Sequence, residues 1–268
     1  MTKNQHYIPR FYQRYWECET KGCLWSYDKR RGSIRQRPIS ANCSEDYLYE
    51  PDIDNPDNAM ENKFGKFEKM YSDPYKSLMD RIACIRKLSE QDKKMICKLF
   101  ANFSARHPKN LYNNSVNNRR ASIYTLGIKD KNIDRRSINL LYASAVGGMS
   151  VVFDQENEIL SPFEEKLLAR RMQLLYTDEP KIVFCDALVK EVCYIAEWFF
   201  PLSPTMVAHF SWGNSIEDKT IRKMTEEEYR RFIFLYTRSG LVEKIFAQSK
   251  EVLEKNVCPF MGQIKGVY

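Results

Sequence analysis

The sequence contains few of the features on which simple functional assignments depend. Its 268 residues include only 10 glycines and 11 prolines, which excludes collagen-like and Gly/Ser-rich low-complexity chains. No apolar stretch approaches the roughly 18–20 uncharged residues of a membrane-spanning helix, and the opening segment 1–16 has no apolar core typical of a signal peptide. We therefore expect a cytoplasmic protein that does not enter the membrane.

Standard catalytic motifs are also absent. No GxxxxGK[ST], GxGxxG, GxSxG or HExxH pattern occurs, which argues against P-loop NTPases, Rossmann dinucleotide enzymes, α/β-hydrolases and zincins. None of the eight cysteines belongs to a CxxC pair. Because Cys18, Cys23 and Cys43 lack a fourth ligand and the usual zinc-site spacing, we interpret most cysteines as reduced, buried side chains.

The composition that is present indicates a folded, mildly basic chain. Hydrophobic residues make up 43% and aromatic residues 13%, which excludes a disordered chain. The 42 Lys and Arg exceed the 35 Asp and Glu, so the net charge is +7. This excess favours an anionic partner, although basic runs are equally typical of a solvated surface.

The order of predicted elements indicates an α+β fold in a single domain over residues 1–268. An N-terminal β-hairpin and sheet in residues 1–50 and a second strand-rich region at 171–212 are expected to pack on a helical core. Helices are predicted over 58–170, with a break near Pro74, and over 225–256, where the last helix runs from 241 to about 255. A further short strand is predicted at 46–49.

The most informative segment is Gln5–Tyr12, QHYIPRFY. It resembles the HYxPxFYL opening motif of a family of uncharacterised proteins, domain of unknown function 4238. Short segments from about residue 3 to about residue 245 resemble other elements of that family in order. They are Tyr27-Asp28 with Gly32, Glu45–Tyr49, Glu61 with Glu68, Arg106-His107-Pro108, Tyr176–Pro180 and Phe200–Pro204.

Two positions depart from the family pattern, and the first bears on any role that needs an Asn amide. Glu179 stands where Asn would precede the proline, and Gln13 stands where the opening motif usually has Leu. The family implies no established chemistry. The resemblance does group five polar residues from separate segments into one set, which a fold can bring together. These residues are His6, Glu45, Glu68, Arg106 and Asp178.

This set is compatible with two kinds of phosphodiester-cleaving site. In one, His6 and the carboxylates of Glu45, Glu68 and Asp178 hold Mg²⁺ or Mn²⁺, while Arg106 neutralises a phosphate. In the other there is no metal, His6 is the general base for a ribose 2′-hydroxyl, and Arg106 stabilises the developing negative charge. Both predict a nuclease with catalytic His6, Glu68, Arg106 and Asp178.

Basic and aromatic residues supply a candidate nucleic-acid surface. Tyr7, Arg10 and Arg14 are predicted to stack bases over a basic floor, and Arg119 with Arg120 adds further positive charge. The alternative for the N-terminal aromatic residues is core packing. From the kind of family that it resembles, we expect an RNase-type effector of a defence or toxin–antitoxin system, with a partner protein or activator left open.

The alternative function is a non-catalytic module that binds RNA, a nucleotide or a protein, in which these residues form a structural network. Geometry discriminates between the two hypotheses. Catalysis requires His6 and Arg106, together with Glu68 or Asp178, to face a common open cleft. Burial with mutual hydrogen bonds favours the alternative.

Overall fold

The computed structural model describes residues 4–50, 56–108, 161–187, 197–212, 216–240 and 242–261. Within them the chain has the expected α+β architecture. The helices are α1 (Arg10–Gln13), α2 (Ala59–Arg81), α3 (Glu90–Arg106), α4 (Pro162–Leu168), α5 (Glu226–Arg238), α6 (Lys250–Asn256) and α7 (Cys258–Met261). The strands are β1 (Asn4–His6), β2 (Cys23–Asp28), β3 (Ser33–Pro38), β4 (Ser44–Asp46), β5 (Arg171–Tyr176), β6 (Phe184–Cys185), β7 (Glu197–Ser203), β8 (Met206–Ser211), β9 (Ile221–Lys223) and β10 (Lys244–Ala247).

The strands form three sheets. A two-stranded sheet pairs β1 with β4, a four-stranded sheet has the order β3-β2-β10-β6, and another has the order β7-β8-β5-β9. All pairs are antiparallel except β5 with β9. The second sheet joins the N-terminal hairpin to the C-terminal strand β10, so segments far apart in sequence share one layer.

Local sequence signals explain where several helices begin. Ser89 accepts a hydrogen bond from the backbone N–H of Asp92, whose side chain accepts from Ser89 in return, and this capping box starts α3. Thr225 and Glu228 form the same motif at the start of α5. Acidic first turns also suit the positive end of the helix dipole.

The N-terminal aromatic residues lie in the hydrophobic core. Tyr12 and Trp16 are both 0% exposed. The Tyr12 hydroxyl donates to the Pro201 carbonyl at 2.6 Å, its ring stacks on Phe200, and Trp16 Nε1 donates to the Ile182 carbonyl at 3.1 Å. These contacts fix α1 and the strand before it against the β7 sheet, which sets the position of the candidate site.

The structure differs from the sequence prediction at Pro74 and at the third N-terminal strand. Helix α2 continues through Pro74, which lies on the exposed face, where the carbonyl that loses its helical partner can bond to water. Buried Tyr75 and Leu78 hold the helix beyond that point. Strand β4 ends at Asp46 because Tyr47 has the left-handed φ of 55°.

The predicted last helix, 241 to about 255, is wrong over Lys244–Ala247, which form β10. Ile245, Phe246 and Ala247 are 0% exposed, since β10 lies between β2 and β6. A short, fully buried apolar run has the same appearance in a helix and in a central strand. In the described part of the chain, no helix is both long enough and apolar enough to span a membrane.

Candidate functional site

Strand β1 is held in place by buried polar contacts that the sequence analysis missed. Gln5 Nε2 donates to Glu50 Oε1 at 2.6 Å, and the Tyr49 backbone N–H donates to Gln5 Oε1 at 2.6 Å. Glu50 Oε2 accepts from the Asp57 backbone N–H at 2.9 Å. Gln5 and Glu50 are 0% and 2% exposed. These hydrogen bonds hold the strand that carries His6 against the segment before α2. No spacing of residues in the sequence indicates these contacts.

The guanidinium of Arg106, at the end of α3, is the centre of the cluster. Its Nη2 donates to Glu68 Oε1 at 2.8 Å and to the His6 carbonyl at 2.9 Å. Its Cζ lies 4.0 Å from the centroid of the Phe64 ring, and the residue is 1% exposed. Burial alone would lower the pKa of Arg106, but Tyr49 and Glu68 outweigh burial and the pKa is raised. The guanidinium is therefore charged, and protein groups already contact it.

His6 lies beside this guanidinium and is 6% exposed. Burial and then the charge of Arg10 lower the pKa of His6 to about 4. Arg10 Nε donates to His6 Nε2 at 3.4 Å, so Nε2 is the acceptor and Nδ1 carries the proton. The imidazole is neutral at pH 7.

Two glutamates on α2 face the same cluster. Glu61 and Glu68 are about two helical turns apart and so share one face. Burial raises the pKa of Glu61, the nearby Arg106 opposes that shift, and Glu68 adds to it. Glu61 Oε2 is buried and has no hydrogen-bond partner within the described residues. Glu61 is thus a second carboxyl of the site. The sequence indicates this role only through the position of Glu61 on the same helix face as Glu68.

The structure brings His6, Glu68 and Arg106 together, places Glu45 opposite Gln5 on the neighbouring strand β4, and places Asp178 after β5. Glu45 lies on β4, where burial and then the charge of Glu243 raise its pKa. Asp178 follows β5 and forms an exposed ion pair with Lys223. Among the described residues, no group of three or more His, Cys, Asp or Glu side chains is arranged to hold a metal ion.

The residues that were predicted to contact nucleic acid also differ in where they lie. Tyr7 is buried, and its ring meets the edge of the His107 ring at a centroid distance of 5.4 Å, so it packs in the core. Arg10 and Arg14 are exposed on and next to α1. Arg119 and Arg120 lie outside the described residues.

A second surface feature was not foreseen from the sequence. The Arg170 guanidinium lies between two indole rings, with its Cζ 3.5 Å from the Trp198 centroid and 4.3 Å from the Trp212 centroid. Burial lowers the pKa of Arg170 to about 10, so it stays charged at pH 7. Trp212 is 49% exposed. The stack therefore holds the Trp212 indole in a fixed position at the surface. Arg170, Trp198 and Trp212 come from separate segments that share no sequence motif.

One comparison with known proteins gave a match. The model of a family described as "Protein of unknown function (DUF4238)" matches residues 4–137. The match contains the opening motif and the residues His6, Glu61, Glu68 and Arg106. It is shorter than the expected resemblance to about residue 245. Neither the comparison with curated proteins nor the comparison with solved structures gave a match.

Proposed function

Because the chain belongs to the DUF4238 family of proteins of unknown function, we propose its function from its own side chains: it is a cytoplasmic, non-catalytic protein that binds single-stranded nucleic acid. The observation that carries this proposal is the exposed Trp212 ring held on the Arg170 guanidinium. The cluster around Arg106 is then a structural network that holds the fold.

The geometry of the network supports a structural role. A phosphate that approached Arg106 would have to displace Glu68 and the His6 carbonyl from a guanidinium that is 1% exposed. Removing one partner from a buried pair is strongly unfavourable because the remaining charge is left without compensation. His6 is also a weak base with a pKa of about 4. The network joins β1, α2 and α3. This structural role accounts for the charged and polar residues in it without a reaction.

The Trp212 surface supports nucleic-acid binding. Stacking of a base on an aromatic ring tolerates every base and contributes roughly 1–3 kcal/mol per base. The Arg170 guanidinium stacked on the indole favours one orientation of the ring and adds positive charge behind it. Lys93 Nζ donates to the Arg170 carbonyl at 2.7 Å, which places this stack near the first turns of α3. Arg106 is at the other end of that helix, about 20 Å away along the axis.

Positive charge on the surface supplies the electrostatic part of the proposal. The net charge is +7, and Arg10, Arg14 and Arg35 are exposed. Cations that neutralise phosphates release bound counterions, so the affinity falls steeply as salt rises. We therefore expect strongly salt-dependent binding.

The test is a fluorescence anisotropy titration of a labelled 12-nucleotide single-stranded RNA, with a duplex of the same length beside it. Trp212→Ala should weaken binding to the single strand roughly 5- to 100-fold, as expected for one lost stacking contact. Met70→Ala is the matched control, because Met70 is also 49% exposed. Equal effects of the two substitutions, or a preference for the duplex, would contradict the proposal.

A second candidate function is RNA cleavage, and Glu61 is the observation that favours it. A carboxyl with a raised pKa and a neutral imidazole, both close to Arg10 and Arg106, are the components of general acid–base catalysis. Cleavage of labelled RNA or DNA, with and without Mg²⁺ or Mn²⁺, and its loss in His6→Ala at an unchanged melting temperature, would favour this second function. It would also favour an effector of a defence or toxin–antitoxin system.

A further inference from the structure

Strand β3 is the outer strand of the sheet with the order β3-β2-β10-β6. In the part of the chain that the structure describes, β3 pairs with β2 alone, so one of its long edges is open. Its six residues give it the length of an ordinary strand. An open edge presents unpaired N–H and C=O groups, to which another extended segment can add as a further strand.

The pairing of β2 with β3 determines which backbone groups lie on the open edge. Just beyond the paired residues, the Ile39 backbone N–H donates to the Gly22 carbonyl at 2.8 Å. Hydrogen-bonded and non-hydrogen-bonded pairs alternate along an antiparallel ladder. Residues an even number of positions before Ile39 therefore bond to β2, and the N–H and C=O groups of Ile34 and Gln36 point away from it. No hydrogen bond from a described residue reaches these four groups.

Two arginines lie on one face of this edge strand. Arg35 and Arg37 are two positions apart, so their side chains leave the strand on the same side, about 6.8 Å apart along it. Arg35 is exposed and Arg37 is half-buried. Neither forms an ion pair with a described residue, whereas Arg30 in the adjoining turn pairs with Glu243 at 2.6 Å. The open edge therefore has two positive charges that the described part of the chain does not neutralise.

We propose that β3 binds an extended acidic segment of a partner protein, which adds to it as an antiparallel strand. Two acidic residues of the segment, with one residue between them, lie opposite Arg35 and Arg37. The residue between them bonds to the backbone of Gln36. Opposite charges directly across an antiparallel pair are favourable. The pairs opposite the arginines are of the non-hydrogen-bonded kind, in which side chains lie closer together.

Other occupants satisfy only part of what this edge offers. A second copy that pairs through the same edge places arginine beside arginine, and like charges across a strand pair are unfavourable. Single-stranded RNA offers phosphates to the arginines but has no peptide groups to pair with the backbone. Because Trp212 follows β8, in a different sheet, this inference is independent of the proposed binding at Trp212.

Fluorescence anisotropy of the full chain with labelled, end-capped seven-residue peptides tests the proposal. The first peptide has threonine at both ends, three valines, and two glutamates that are separated by the middle valine. Its isomer has the same residues with the two glutamates adjacent, so that only one of them can face the arginines. We expect saturable binding of the first peptide and roughly two- to five-fold weaker binding of the isomer. Equal binding of the two peptides, or no saturable binding, would overturn the proposal.

Methylation of the peptide's backbone nitrogens tests the pairing itself. In an antiparallel pair, the three valines direct their N–H groups toward β3 and the two glutamates direct theirs away from it. Methylation of the valine nitrogens should therefore weaken binding roughly tenfold or more, because several hydrogen bonds are lost. Methylation of the glutamate nitrogens should change the affinity less than about two-fold, since those groups face water. The reverse order, or equal binding of the two methylated peptides, would contradict this pairing.

Matched variants of the chain test the role of the two arginines. Arg35→Gln combined with Arg37→Gln should weaken binding of the first peptide roughly 2- to 30-fold, as expected for two lost charge pairs. The control is Arg230→Gln combined with Arg238→Gln, because it removes the same charge from exposed positions on α5. Equal losses in the two double variants would reflect net charge alone and would overturn the proposal.

Two further measurements test the other occupants. Sedimentation velocity should show no dimer that the double variant at Arg35 and Arg37 abolishes, and such a dimer would replace the acidic segment with a second copy. Unlabelled single-stranded RNA should not displace the bound peptide more effectively than RNA duplex of the same charge. RNA binding that requires both arginines, in a chain that binds none of the peptides, would overturn the proposal. The Trp212→Ala result is unaffected by any of these outcomes.

Discussion

Two of the arginine–glutamate pairs within the described residues, Arg106–Glu68 and Arg231–Glu197, differ in burial and in the length of the contact. In the N-terminal site, Arg106 is 1% exposed and contacts Glu68 at 2.8 Å, with His6 covered beside it. In the second pair, the Arg231 side chain is 47% exposed and its Nη1 lies 3.5 Å from Glu197 Oε2. The first pair is buried and closely hydrogen-bonded, whereas the second is open to solvent and has a longer contact. Residue types alone therefore do not distinguish a buried structural pair from a loose surface pair.

The sharpest test of this difference is Arg106→Met. It leaves Glu68 and the His6 carbonyl without their donor in a buried place, so we expect a loss of about 3–5 kcal/mol in the free energy of unfolding. Urea denaturation monitored by circular dichroism measures it. Arg30→Met is the control, since the Arg30–Glu243 pair is exposed and should contribute below about 1 kcal/mol. Similar losses in the two variants would remove the distinction between buried and exposed pairs.

The next largest effect concerns pH and His6. Its pKa is lowered from 6.5 to about 4 in the folded state, so the unfolded chain takes up a proton first as the pH falls. The stabilisation is fully present above pH 6.5, declines below it and is exhausted near pH 4, with a total on the order of 3 kcal/mol. The pH dependence of the unfolding free energy in wild type minus that in His6→Asn isolates this contribution. If the difference in unfolding free energy between the two proteins did not change from pH 7 to pH 4, the His6 imidazole would not be shielded from solvent in the folded state.

A smaller effect is expected from the Arg222 side chain, which links Gln173 to Glu228. Arg222→Gln removes the charged donor to Gln173 and Glu228, and we expect a loss of about 1–2 kcal/mol. Urea denaturation measures this loss, and an unchanged free energy of unfolding would show that these hydrogen bonds do not stabilise the fold.

The smallest effect is predicted for Arg231→Gln. The pair with Glu197 is half open to solvent and lacks short hydrogen bonds, so its loss should change stability by less than about 1 kcal/mol. The same denaturation experiment as for Arg106→Met measures it. A loss comparable with that of Arg106→Met would make the Arg231–Glu197 pair structural as well.

Local signals made part of the fold predictable. The hairpin around Asp28 to Gly32 and the capping boxes at Ser89 and Thr225 are encoded within a few neighbouring residues, and the structure contains all of them. Strand β10 was missed because its extended conformation depends on pairing with β2, which lies more than two hundred positions earlier in the chain. Periodicity within a short buried run carries no information about such a partner.

The candidate site was predictable to a similar extent. The resemblance grouped His6, Glu68 and Arg106, which the structure brings together. It also grouped Glu45, which lies near Glu243 on the strand beside β1, and Asp178, which pairs with Lys223. Whether a charged side chain is sealed or open depends on the packing around it. The sandwich of Arg170 between Trp198 and Trp212 joins segments that meet only after the sheet of β5, β7 and β8 has formed. The roles of all these residues stay predictions.

The most direct test of the central claim is one titration of labelled single-stranded RNA, followed by a denaturing gel of the same samples. The account predicts salt-dependent binding by wild type, intact RNA with or without Mg²⁺ or Mn²⁺, and an unchanged affinity in His6→Asn. RNA that is cut by wild type and left whole by His6→Asn would contradict it and make the buried cluster a reaction centre.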